Sequence, residues 1–147
     1  LYIIFAMTVL YMPEGARAEL EEWVRAGYPH ETCGLLVGTQ GLGRAQVARV
    51  VQARNLNVER ARDRYELDPE DFISADATAR GAGMELIGVW HSHPDHPAIP
   101  SETDRAAAWP GWSYVILSVT EAGVADVRSW RLDGDDFEPE AVHPCPQ

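Results

Sequence analysis

Cysteine is scarce in this sequence: among 147 residues only Cys33 and Cys145 carry a thiol. One disulfide is the most they permit, which excludes a small secreted fold stapled by several bridges. Cys33 lies in an apolar run and Cys145 between prolines, and both read as reduced thiols of a cytoplasmic protein, Cys33 as a small core residue. Basic residues are also few. Twelve of them stand against 23 acidic ones, giving a formal charge of −11. A nucleic-acid partner would ask for a basic face, so that class is disfavoured. No run reaches the roughly 18 apolar residues of a membrane span. Leu1–Met12 is apolar but short, with neither a basic start nor a small-residue cleavage site, and does not read as a signal peptide. Residues 1–6 read as an N-terminal extension, with Met7 as the natural start. Internal repeats and low-complexity tracts are absent.

What is present suits one globular domain: 46% hydrophobic and 24% charged residues in a chain long enough to bury a core. Thr8–Met12 reads as an edge strand. Pro13 opens a helix whose buried face is Ala16, Leu20, Trp23 and Val24, and Gly27 and Pro29 stop it. Cys33–Thr39 and Ala45–Val51 read as a hairpin. Residues 54–64 carry Arg54, Arg60, Arg62 and Arg64. They read as a solvated loop or as a docking loop for an acidic partner. After a brief strand at Tyr65–Leu67, Asp68 caps a helix with Pro69 in its first turn and Phe72, Ile73, Ala75 and Ala79 as its buried stripe. Strands follow at Met84–His93, Ser113–Val119 and Val124–Leu132, with a short helix over Ser101–Trp109. Residues 133–147 are acidic and proline-rich and read as a loose tail, so the folded domain is expected over 7–132. Strands mixed with helices imply an α/β fold, one mixed sheet covered by helices.

The densest chemistry lies between Trp90 and Asp104. His91 and His93 end an apolar strand two residues apart, so both imidazoles face the same side while Trp90 and Ser92 face the other. Asp104 follows eleven residues after His93, within reach of a short loop. Two imidazole nitrogens and one carboxylate oxygen suit zinc and leave a fourth position for water, the ligand count of a catalytic site. Ser101 and Asp104 also spell a capping box, and the two roles are compatible.

His91-Ser92-His93-Pro94, with Ser101 and Asp104 at their spacings, resembles the signature His-x-His-x7-Ser-x2-Asp of the JAMM (MPN-type) metalloproteases. That family carries a glutamate just before a strand beginning Cys-Gly-Leu-Leu, and here Glu31 precedes Cys33-Gly34-Leu35-Leu36. The resemblance implies a cytidine-deaminase-like α/β sandwich and one Zn2+ per chain, held by His91, His93 and Asp104. It implies Glu31 as general acid–base and Ser101 as donor to the oxyanion. Hydrolysis at zinc needs a group that takes a proton from water and returns it to the leaving amine. By resemblance to the short prokaryotic members, the substrate is the bond after the C-terminal Gly-Gly of a ubiquitin-like or sulfur-carrier protein.

Three other readings compete. His91-Ser92-His93-Pro94-Asp95-His96 also spells the His-x-His-x-Asp-His of metallo-β-lactamases. That fold needs more chain and a further histidine ligand, and it leaves Glu31, Ser101 and Asp104 unexplained. A non-haem iron oxygenase also uses two histidines and a carboxylate, but in β-barrels without these helices. A metal-binding scaffold of the same fold without hydrolysis is the third.

Overall fold

The computed structural model describes residues 8–145, and the expected extension at 1–6 lies outside them. Seven strands and three helices are formed among the described residues. They are β1 (Val9–Tyr11), α1 (Glu14–Gly27), β2 (Cys33–Gly41), β3 (Arg44–Ala53), α2 (Pro69–Gly81), β4 (Glu85–Pro94), α3 (Glu102–Ala107), β5 (Ser113–Thr120), β6 (Gly123–Asp133) and β7 (Asp136–His143). The fold is α/β with a mixed sheet: β4 and β5 run parallel, while β2 and β3, β2 and β4, and β5 and β6 are antiparallel.

β2 shows why the central strands read as unbroken apolar runs. Residues 33–38 are all buried, because both faces of the strand are covered. Leu36 joins Leu20 and Val24 of α1, with Trp90 and Val115, in one cluster. Its neighbour Leu35 points the other way and joins Ala75 and Ala79 of α2, with Val89 and Tyr114. Ile73, expected in the buried stripe of α2, is instead 67% exposed. It stands on the lining of the cleft described below, left uncovered among the described residues.

The sandwich expectation needs correction. β1 pairs in parallel with both β3 and β7, and the sheet closes into a barrel in the order β1-β3-β2-β4-β5-β6-β7. The closing strand comes from the segment read as a loose tail. Composition counts Glu140 as solvated, yet it is buried, accepting a hydrogen bond from Ser129 Oγ and pairing with Arg131 on β6. A carboxylate supplied with partners in this way can enter a sheet.

Candidate metal centre and active site

The site forms where β2 and β4 part. Their ladder runs to the Cys33–His91 pair and is continued by one backbone and one side-chain hydrogen bond. Ser92 N–H donates to Thr32 O (2.9 Å), and Thr32 N–H donates to Ser92 Oγ (2.9 Å). Glu31 is thereby held beside the two histidines that flank Ser92. Trp90 faces the opposite side, as the alternation requires. It stacks on Trp23 with ring centroids 5.7 Å apart and donates from Nε1 to Val51 O at 3.0 Å. Gly34 has to be glycine for this: a Cβ there would lie 1.9 Å from Val51 O and 2.5 Å from Trp90 Nε1.

His91 Nε2 and His93 Nε2 face each other at 3.0 Å. Asp104 closes the triangle, with Oδ1 3.3 Å from His91 Nε2 and Oδ2 3.2 Å from His93 Nε2. Ligand atoms of a tetrahedral zinc site, each about 2.0–2.1 Å from the ion, lie roughly 3.3 Å apart. The two imidazole nitrogens and the two carboxylate oxygens are therefore spaced much as ligand atoms around one ion are. The tautomer of His93 fits as well. Its Nδ1 lies 2.8 Å from Pro97 O, which can only accept, so Nδ1 carries a hydrogen and Nε2 is the nitrogen that the neutral ring would offer to an ion.

Asp104 is brought in by α3. Ser101 caps that helix, its Oγ accepting from Asp104 N–H at 3.1 Å while Ser101 N–H donates to Asp104 Oδ2 at 2.8 Å. The capping box and the approach to the histidines are one arrangement. Burial works against the ionised Asp104, yet hydrogen bonds with His91 and His93 keep its carboxyl well below the usual range. Burial lowers His91. Burial also opposes the charged form of His93, but its bonds to Asp104 and Pro97 outweigh this and raise it.

Glu31 is the second carboxylate. It is buried, and with His91 and His93 it offers ligand atoms within 4.8 Å of one another, a cluster able to hold a metal ion. Asp104 stands within hydrogen-bond distance of both imidazoles, so two carboxylates, Glu31 and Asp104, flank the histidine pair. Glu31 Oε2 is buried without a hydrogen-bond partner. Burial pushes the Glu31 carboxyl up to about 7, the range in which a general base works best at neutral pH.

Two neighbours were not legible as site residues. Tyr65 stacks on His91, ring centroids 4.5 Å apart and planes 25° apart. Its only sequence signal was a place in a brief strand ahead of the α2 cap. Asn55 was hidden in the arginine-bearing stretch, and its side chain donates to Glu31 O at 3.2 Å. Asp95 and His96, the rival ligands, belong to the turn after β4. Asp95 has a positive φ of 59° and accepts from Tyr28 Oη, and neither residue joins the metal cluster.

The corner holding Glu31, His93 and Asp104 opens into a cleft of about 770 Å³. Beyond Glu31, His93 and Asp104 one part of its wall is apolar, with Phe72 stacked on Trp112 at 6.0 Å, and another carries Arg62 and Arg64. Ile99 and Trp109 are exposed at its edge.

Residues 13–133 match the family described as prokaryotic homologs of the JAB domain. The chain is 37% identical over 115 residues to a desampylase of Haloferax volcanii, covering 78% of each protein. It is 32% identical over 124 residues to a probable TtuB-protein conjugate cleaving protease of Thermus thermophilus, covering 84% of this chain and 76% of that one. A solution structure of a protein from Salinibacter ruber is 38% identical and superimposes with a TM-score of 0.70, over 96% of this chain and 94% of the other.

Proposed function

This chain belongs to the family of prokaryotic homologues of the JAB domain, and from that premise we propose that it is a zinc-dependent JAMM-type peptidase or isopeptidase. Its substrate is the bond that follows the C-terminal Gly-Gly of a ubiquitin-like or sulfur-carrier protein. The carrying observation is the convergence of two imidazoles and two carboxylates from three separate stretches, the end of β4, the approach to β2 and the first turn of α3.

His91, His93 and Asp104 are the metal ligands in this reading. Zinc bound there supplies Lewis acidity, polarising the scissile carbonyl and acidifying water. Glu31 takes a proton from the attacking water and delivers it to the leaving amine as the C–O bond forms and the C–N bond breaks. Its raised pKa of about 7 supports both halves of that exchange. Ser101 Oγ already accepts from Asp104 N–H, so its own hydrogen is free to donate to the developing oxyanion.

A glycine tail offers little side-chain contact, and ordering it costs roughly 1–2 kcal/mol per residue. Docking of the folded carrier supplies the compensating binding energy. Arg62 and Arg64 line the cleft and suit an acidic docking face, while Phe72 and Trp112 suit an apolar one. Two free cysteines support a reducing, cytoplasmic setting. No helix among the described residues is long and apolar enough to cross a membrane.

The test is removal and return of the metal. Chelation is expected to abolish cleavage of a carrier extended beyond Gly-Gly, and one equivalent of zinc to restore it. Undiminished cleavage by metal-free protein would overturn the reading.

A further inference from the structure

Residues 54–64 form an exposed, irregular loop, as their charge suggests, but with the following residues they are internally ordered. They fold back on themselves around one side chain. Asn55 Nδ2 donates to Arg64 O (3.1 Å) and to Glu31 O (3.2 Å). Its Oδ1 accepts from Asn57 N–H (3.0 Å) and from Glu66 N–H (2.9 Å). Two donors and two acceptors complete the hydrogen-bonding capacity of a carboxamide facing the protein. The amide orientation is fixed as well, because a flipped group would set its oxygen against two carbonyls and its nitrogen against two N–H groups.

The loop so folded grips Glu31 by its backbone. Glu31 O accepts from Asn55, and Glu31 N–H donates to Ala61 O at the top of the same loop. The ends of the loop are anchored apart from the site: Leu56 N–H donates to Glu66 O (2.8 Å), Arg54 N–H to Asp71 Oδ2 (2.8 Å) and Asp68 N–H to Arg54 O (3.1 Å). The chain neighbours of Glu31 are tied elsewhere, Thr32 to Ser92 and His30 through its N–H to Gly27 O. Its carboxylate has no fixing partner on Oε2, so the backbone clamp sets where that carboxylate can reach.

We infer that Asn55 is a positioning residue for Glu31, acting through the folded loop to hold the general base in register with the metal ligands. The inference rests on the assignment of Glu31 as base made above. A carboxylate free to wander by about an ångström costs up to about 100-fold in rate with little effect on binding.

The test uses the full chain with zinc bound. Asn55→Asp keeps the accepting oxygen and removes both donors; Asn55→Ala removes the clamp without setting an oxygen against two carbonyls. Either variant is expected to retain zinc and to lose about 10- to 100-fold in kcat, with KM changed by less than about threefold. Amide exchange at Glu31 should accelerate at least about tenfold while that at Ser92 stays as in the parent. Added to Glu31→Gln, Asn55→Ala should cost nothing further, because both changes disable one group. An unchanged kcat, an equal loss in both backgrounds, or unchanged exchange at Glu31 would each overturn the inference. If Glu31→Gln itself turns over like the parent, it is the base assignment that fails. Exchange at Glu31 then still reads whether Asn55 holds that segment.

Discussion

The ring of Tyr65 lies flat against the imidazole of His91, centroids 4.5 Å apart, while His91 Nδ1 is buried without any hydrogen-bond partner. Metal-ligating histidines are ordinarily oriented by a hydrogen bond from the second nitrogen, and His93, a ligand in the proposed reading, has one, to Pro97 O. For His91 the stacking contact takes that place. Tyr65→Leu is therefore expected to weaken zinc affinity by about tenfold or more, whereas Tyr65→Phe keeps it. Competition with a chromogenic chelator measures both. Equal affinity in Tyr65→Leu and the parent would remove Tyr65 from the site.

Ser101 and Asp104 share a helix cap but differ in their expected roles. Each alanine variant should lose part of the α3 cap, at about 1 kcal/mol. Only Asp104→Ala should lose the metal. Ser101→Ala should retain it and lose on the order of 100-fold in kcat, as when one oxyanion donor is removed. Metal analysis beside steady-state kinetics separates the two. Stoichiometric zinc in Asp104→Ala would refute its assignment as a ligand.

How much of this was legible beforehand depended on whether a residue's role is local. His91 and His93 could be read because strand alternation alone sets two imidazoles on one face. Ser101 and Asp104 could be read because a cap is a matter of spacing. Glu31 was singled out only by resemblance, since its place depends on backbone bonds to Asn55 and Ala61, far along the chain. Asn55 and Tyr65 gave no signal, because their partners lie up to 26 positions away and their residue types are ordinary in loops. The barrel was missed for a related reason. A strand containing Asp136, Glu138, Pro139 and Glu140 has no apolar alternation, and its burial rests on partners supplied by β6.

That last point has its own test. Glu140→Ala leaves the Arg131 guanidinium half-enclosed and Ser129 Oγ without its acceptor. Breaking such a pair from one side costs about 3 kcal/mol. Chemical denaturation should show that loss without any change in zinc content. A variant as stable as the parent would mean that β7 contributes little to the fold.

Burial of Glu31 has a consequence for stability in the metal-free protein. Its folded pKa of about 7 lies above the ordinary value of 4.5. Protonation therefore favours the folded state: the contribution is complete below about pH 4 and is lost as pH rises through about 7. Glu31→Gln carries no such charge. It should melt close to the parent at pH 5 and several degrees above it at pH 8, where relief of the buried charge approaches roughly 3 kcal/mol. With zinc restored the same variant should bind carrier normally and fail to turn over. A melting difference that is the same at both pH values would contradict the burial argument.

The most direct measurement compares kcat/KM on two substrates containing the same scissile bond: a folded ubiquitin-like carrier extended beyond its Gly-Gly, and the isolated tail peptide. Cleavage directly after Gly-Gly is expected in the carrier, at a rate far above that of the peptide and falling as salt rises if the docking face is acidic. Equal kcat/KM for the two, or no cleavage of either by the zinc-loaded protein, would contradict the assignment of this chain as a carrier-directed metallopeptidase.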